Sequence, residues 1–181
     1  IRDNQRSATE DELRVLRNYR SWGSFPQLFN DNDPAYALQR AELQTLLTDE
    51  EYQSARSTIT TAFYTPPEIS QALWNGLETA GFSQGRVLEP GVGTGGFVAS
   101  APDGAHMVGV ERDAMSALIA NALYPDAQIR REDFADTQAE DNSFDVAIGN
   151  VPFSQTVPYD PARNRAGLST HNYFISKSID L

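Results

Sequence analysis

Asn150-Val151-Pro152-Phe153 is the stretch of this chain whose residue types are best suited to chemistry. It follows an apolar run, Phe144–Gly149, in which Val146, Ala147 and Ile148 read as a short buried strand closed by Gly149 and Pro152. An amide side chain, carbonyls held by a proline and an aromatic ring therefore stand at the carboxyl end of a strand, where open α/β sheets bind ligands. A flat heteroaromatic base with an exocyclic amino group suits that set. Asn150 and a backbone carbonyl would accept its two N–H bonds, and Phe153 would stack on its face. The same four residues also suit a plain strand-to-loop turn, with Asn capping and Phe packing, so the rest of the chain has to decide.

A second constellation surrounds a glycine loop. Glu89-Pro90-Gly91-Val92-Gly93-Thr94-Gly95-Gly96-Phe97 follows a strand and opens a helix, and Gly91, Gly93 and Gly96 satisfy Gly-x-Gly-x-x-Gly. In that setting the pattern is a nucleotide-site signal, because glycines let the backbone approach a ligand closely. Two ligands compete. The pyrophosphate of a dinucleotide would sit at the helix N-terminus, where Glu89 would repel it. S-adenosylmethionine has no phosphate; it carries an ammonium, a sulfonium and a ribose diol, all of which favour carboxylates. Glu89, Glu111 and Asp133 fall at the ends of three successive strands. Glu111 comes 22 residues after Glu89, near the spacing of roughly 20 residues seen for a ribose-binding acid. A cationic cofactor fits this arrangement better than an anionic one.

The elements that must position these residues follow from the pattern. Residues 1–62 read as a helical segment. Thr9 and Glu12 form a capping box ahead of Leu13 and Leu16, Ser21–Pro26 breaks that helix, and Asp33-Pro34 starts a second with Leu38, Leu43, Leu46 and Leu47 as its stripe. Thr48 starts a third. From residue 63 strands and helices alternate: a helix over 67–80 ended by Gly81, strands at 86–89, 106–111, 127–131 and 144–149, and helices near 96–100, over 113–123 and from about 171. Residues 154–170 read as a polar loop. The pattern predicts an α/β fold with a doubly wound, mainly parallel sheet in residues 63–181, preceded by the helical segment.

Composition sets outer bounds. The 181 residues suffice for a real core, and 40% are hydrophobic. The absence of cysteine excludes disulfides and thiolate metal sites and suits a cytoplasmic location. No apolar run approaches the roughly 18–20 residues of a membrane span. A net charge of −11 argues against autonomous nucleic-acid binding, which draws its affinity largely from neutralised phosphates. Ile1 at the start and a helical Ser178–Leu181 at the end read as a piece cut from a longer protein, and the charge leaves room for a catalytic module whose nucleic-acid-gripping parts lie elsewhere in that parent.

Taken together, the segments resemble the N6-adenine DNA methyltransferases. Ala62-Phe63-Tyr64-Thr65-Pro66-Pro67 is similar to the family's upstream cofactor motif, Leu88–Phe97 to its glycine motif, and Gly109–Asp113, Asp133-Phe134 and Asn150–Phe153 to the next three. Val151 stands where the family has a first proline. A narrower resemblance covers nearly the whole chain. Tyr19–Pro26, Thr48–Tyr52 and His171–Lys177 resemble segments of large plasmid- and phage-type DNA methylases associated with helicase domains.

The resemblance implies a Rossmann-like class I methyltransferase core lacking its last strands. It implies S-adenosylmethionine as cofactor, held by Phe63, Tyr64, Thr65, Glu89, Pro90, Gly91, Gly93, Gly95, Glu111, Arg112, Asp133 and Phe134. Within that set Glu89 and the glycine loop take the methionine part, Glu111 the ribose hydroxyls, and Asp133 with Phe134 the adenine. Asn150, Val151, Pro152 and Phe153 form the catalytic set. DNA and a helicase-like domain are the implied partners, with neither metal nor membrane. His171 reads as a helix cap, His106 as structural, and Arg163 and Arg165 as solvated loop arginines. Two rivals stay open: a methyltransferase acting on a protein glutamine or an RNA base, and a non-catalytic module that binds the cofactor or a partner.

Overall fold

The computed structural model describes residues 6–23, 25–59 and 64–181. The first helix, α1 (Glu10–Arg17), begins on the expected box: the Thr9 hydroxyl accepts from Glu12 N–H, and the Glu12 carboxylate accepts from Thr9 N–H. After a 3-10 turn at Pro26–Phe29, Asp33 caps a second turn, Pro34–Tyr36, which runs into α2 (Ala37–Leu46). Thr48 and Glu51 form another box at the start of α3 (Asp49–Thr58). These elements close over Phe29, Leu43, Tyr52 and Ala55.

The expected α2 stripe is corrected. Leu43 is buried and Leu47 partly so, but Leu38 and Leu46 are exposed. Arg40 takes the neighbouring buried position, where its guanidinium donates to the Asp33 and Gln27 carbonyls at the two 3-10 turns.

Helix α4 (Pro67–Thr79) starts on a proline and ends at Gly81 with φ +107°. Strand β1 (Gly85–Pro90) leads into the glycine loop. A 3-10 turn at Val98–Ser100 follows where an α-helix is expected. Then come β2 (Ala105–Glu111), α5 (Ala114–Leu123), β3 (Gln128–Arg131), β4 (Val146–Ala147) and α6 (Thr170–Asp180).

Among the described residues the strands make one parallel sheet, ordered β3-β2-β1-β4. Side-chain alternation splits its core. Val87 and Met107 turn toward Trp74 of α4, whereas Leu88 and Val110 turn toward Tyr173 and Phe174 of α6. Helices thus cover both faces, as a doubly wound sheet requires. Strand β4 is shorter than the expected 144–149, although Asp145 N–H and Ile148 N–H still donate to the Arg86 and Leu88 carbonyls on either side of it. Ile148 is buried, but Ala147 is exposed because β4 lies at the sheet edge.

The chain leaves β1 toward β2 and β3, then returns to β4 on the opposite side of β1. That reversal opens a crevice at the carboxyl ends of β1 and β4, the usual ligand position in such sheets. No helix among the described residues is long and apolar enough to cross a membrane.

Candidate active site

A cavity of about 450 Å³ occupies this crevice. Glu89, from the end of β1, is buried beneath it. Its carboxylate accepts from the Phe97 N–H, but Oε2 has no partner. Burial, and secondarily the Glu111 charge, push its pKa well above the ordinary glutamate range. Glu111 ends β2 beside it. Its Oε2 accepts from Gly93 N–H at 2.8 Å and its Oε1 from Asp113 N–H at 2.7 Å. Burial raises this carboxyl too, against those two hydrogen bonds. Asp113 caps α5 through Ser116 N–H at 2.8 Å and accepts from the Ser54 hydroxyl of α3, which ties the N-terminal helices to the cofactor side of the cavity.

The glycine loop has separate demands at each position. Gly91, Gly93 and Gly95 all adopt positive φ. A Cβ on Gly93 would meet the Tyr64 ring at 3.3 Å, so Tyr64 lies over the loop. A Cβ on Gly95 would stand 2.5 Å from the Tyr124 ring. Gly95 therefore serves helix packing, and the cavity wall is made by Gly91, Gly93 and Gly96.

Of the other expected cofactor residues, Tyr64, Thr65, Arg112, Asp133 and Phe134 line the cavity, and Pro90 does not. Asp133 accepts from Ala135 N–H at 2.9 Å and lies 3.6 Å from the Arg112 guanidinium. The Phe134 ring is buried 4.8 Å from that of Phe174. Phe63 lies outside the described residues.

The expected catalytic set divides. Asn150 and Pro152 line the same cavity. Val151 packs into the apolar cluster of Leu88 and Phe174 instead. Phe153 turns out to the rim, its ring centroid 6.1 Å from that of His171. His171 is no cap: it lies within α6, whose N-cap is Ser169, and its buried Nδ1 has no partner. Arg163 is held by Asp141 at 2.5 Å and by the Ala139 carbonyl, so it is not a solvated loop arginine.

Sequence reasoning missed the anchor of the 154–170 loop. Lys177, 1% exposed, donates to the Phe134 carbonyl at 2.7 Å, the Ala135 carbonyl at 3.2 Å and Asp160 Oδ2 at 3.1 Å. The Tyr173 hydroxyl donates to that same oxygen at 2.6 Å. One lysine thus joins the Asp133-Phe134 turn to the loop carrying Ser154, Thr156 and Pro158, and both segments line the cavity. The available signal was a lysine at a core-facing position of α6, in line with Tyr173, Phe174 and Leu181.

The fit to a cofactor rests on this chemistry. Glu89, Glu111, Asp113, Glu132 and Asp133 line the cavity, with Arg112 as the only lysine or arginine among the described lining residues. A buried, unpartnered carboxylate oxygen and this acidic wall suit a cation and repel a pyrophosphate.

Residues 88–163 match the family described as "Methyltransferase domain". The chain is 33% identical over 93 residues to the defense against restriction protein B of Escherichia phage P1, covering 50% of this chain. It spans 4% of the length of that phage protein. Among solved structures it is similar to a modification subunit of a candidate type I restriction enzyme from Vibrio vulnificus, at TM-score 0.52 and 17% identity, over 80% of this chain and 34% of that one. It is also similar to a candidate RNA methyltransferase from Pyrococcus horikoshii, at TM-score 0.46 and 17% identity, over 66% and 58% of the two chains. The sheet is that of the Rossmann-like class I methyltransferases. The match to methyltransferase domains covers residues 88–163, which hold the glycine loop, Glu89, Glu111 and Asn150, and the cofactor it supports is S-adenosylmethionine.

Proposed function

We propose that this domain transfers a methyl group to the N6 amino group of adenine in DNA, in the cytoplasm and as one module of a larger, helicase-associated protein. The supporting observation is that Asn150 and Pro152 open, at the carboxyl end of β4, onto the cavity that holds the buried carboxylates. The similarity to a phage protein of defense against restriction and to a restriction-enzyme modification subunit agrees with a DNA target.

When bound, the cofactor supplies an electrophilic methyl carbon on a sulfonium that leaves as a neutral thioether. The chain's own residues do the rest. Glu89 and Glu111 hold the cationic and diol portions, and Phe134 with Asp133 receives the base. At the target, Asn150 Oδ1 and the Pro152 carbonyl accept the two amino hydrogens. That pulls the nitrogen toward tetrahedral geometry and aims its lone pair into the cavity. Orientation and fixed dipoles supply the rate, with no covalent nucleophile. After transfer the surplus proton leaves toward water at the open rim. Extruding the base costs a few kcal/mol, partly offset by stacking on Phe153.

The direct test is mass spectrometry of plasmid DNA after expressing the intact gene in a methylation-free host. N6-methyladenine is expected. Methyl groups found only on protein or RNA would overturn the assignment.

A further inference from the structure

Residues 152–160 run as an alternating strip. Pro152, Ser154, Thr156 and Pro158 line the cavity. Between them, Phe153, Val157 and Tyr159 point away and are 70%, 57% and 86% exposed. The strip is fixed at its middle: Thr156 O accepts from Thr170 N–H at 2.9 Å, and the Thr156 and Thr170 hydroxyls are bonded at 3.0 Å. At its end Asp160 is locked by Lys177 and Tyr173. The outward side chains therefore stand on a held backbone, continuous with Asn150. Large exposed apolar groups at one place mark an interaction site. The strip also lacks charge: residues 146–159 contain no Asp, Glu, Lys or Arg, in a chain with 25 acids and net charge −11. A surface that meets a polyanion must avoid carboxylates, and this one does.

We propose that Phe153, Val157 and Tyr159 form a contact face for single-stranded DNA, on which Tyr159 stacks an unpaired base several nucleotides from the target. The inference rests on the DNA reading of the site. Aromatic rings at intervals along a groove are how proteins bind single strands without reading sequence, since every base has a π-face. Phe153 and Tyr159 are six residues apart, at most about 21 Å along the backbone. That reach lets Tyr159 meet a nucleotide of the same strand that flanks the target. A protein surface is the rival occupant, and the experiment separates the two.

The intact protein is titrated with fluorescent single-stranded oligonucleotides containing one adenine, by anisotropy, and methyl transfer is measured on the same strands. Tyr159→Ala is expected to weaken strand binding and raise KM about 5–100-fold, with Tyr159→Phe close to wild type. Cofactor affinity should not change. Moving a single abasic site along the strand should find one flanking position that weakens wild-type binding and leaves Tyr159→Ala unaffected. Unchanged strand affinity in Tyr159→Ala overturns the proposal. So does a variant whose only defect is a lower melting temperature, because the ring would then be covered by protein. If wild type binds strands through Tyr159 but methylates no adenine, the assigned reaction fails and the contact face stands.

Discussion

Glu89 and Glu111 stand at the ends of neighbouring parallel strands and line one cavity, where the Glu111 charge adds to the cost of ionising Glu89. Both carboxyls are held above the ordinary range, Glu89 strongly, first by burial. A raised folded-state value means the neutral form is favoured. Its contribution to stability is complete below the ordinary glutamate value of about 4.3 and is lost as pH rises through the shifted value. A cationic ligand needs the ionised form, so S-adenosylmethionine should bind more tightly as pH rises across that window, with proton release. Calorimetry in two buffers of different ionisation enthalpy counts those protons. Glu89→Gln should reduce the count. Release of none in wild type would mean that both groups are already ionised.

Glu111→Ala removes an acceptor from Gly93 N–H and from Asp113 N–H, and should weaken the cofactor by about 1–3 kcal/mol. NAD should bind far more weakly than S-adenosylmethionine in wild type. Equal affinity for NAD would remove the charge argument.

Gly95→Ala tests the division of labour in the glycine loop. The new methyl would stand 2.5 Å from the Tyr124 ring at a position of φ +88°, so the melting temperature should fall. Tyr124→Ala in the same chain should recover part of the loss by removing the clash, leaving the backbone strain. A Gly95→Ala protein of full stability but poor cofactor affinity would return Gly95 to the ligand.

Lys177→Met strips the charge partner from buried Asp160 and takes a donor from the Phe134 and Ala135 carbonyls, at a cost of about 3–5 kcal/mol. Replacing both, as Asp160→Leu with Lys177→Met, should recover much of it. Burial pushes the Asp160 carboxyl up, but hydrogen bonds from Tyr173, Arg163 N–H and Lys177 hold it at about 2. Its contribution is therefore present above the ordinary aspartate value of about 3.9 and fades as pH falls toward 2. Urea unfolding between pH 2 and 5 should show this acid limb in wild type and its shift to higher pH in Lys177→Met.

What was legible in the sequence was what local chemistry dictates. Thr9 with Glu12, and Thr48, announce their helices because capping is a contact between near neighbours. Glu89 and Glu111 announce a cation site because strand ends converge in any parallel sheet. Less legible was whatever depends on distant packing. Leu38 and Leu46 fit a helical stripe, yet Arg40 holds the buried side through carbonyls that only the folded turns expose. Gly95 sits inside the glycine loop, yet it answers to Tyr124, 29 residues on. Phe153 and Val151 share a four-residue motif with Asn150, yet one lies exposed at the rim and the other packs against the core.

The 181-residue chain by itself should hold duplex DNA weakly. Its net charge of −11 opposes phosphate contacts, and Arg163, the arginine best placed in the loop, is committed to Asp141. A gel-shift assay at about 100 mM salt checks this. Sub-micromolar binding would reveal a basic face that outweighs the total.

The chemistry itself is tested at Asn150 and Phe153 in the intact protein. Asn150 lines the cavity, and on the proposed reading it holds the target, so Asn150→Ala should abolish methyl transfer while cofactor affinity stays nearly unchanged, a loss felt in the transition state alone. Phe153 stands at the rim beside His171, free to meet a base that has left its stack. Phe153→Tyr keeps a stacking ring and should be tolerated, whereas Phe153→Ala should lose about 1–3 kcal/mol of base contact. Methyl transfer to DNA and cofactor binding are measured for each variant. Near-normal turnover in Asn150→Ala would reduce the motif to a strand-end turn, and the reaction would have to be sought elsewhere on the cavity wall.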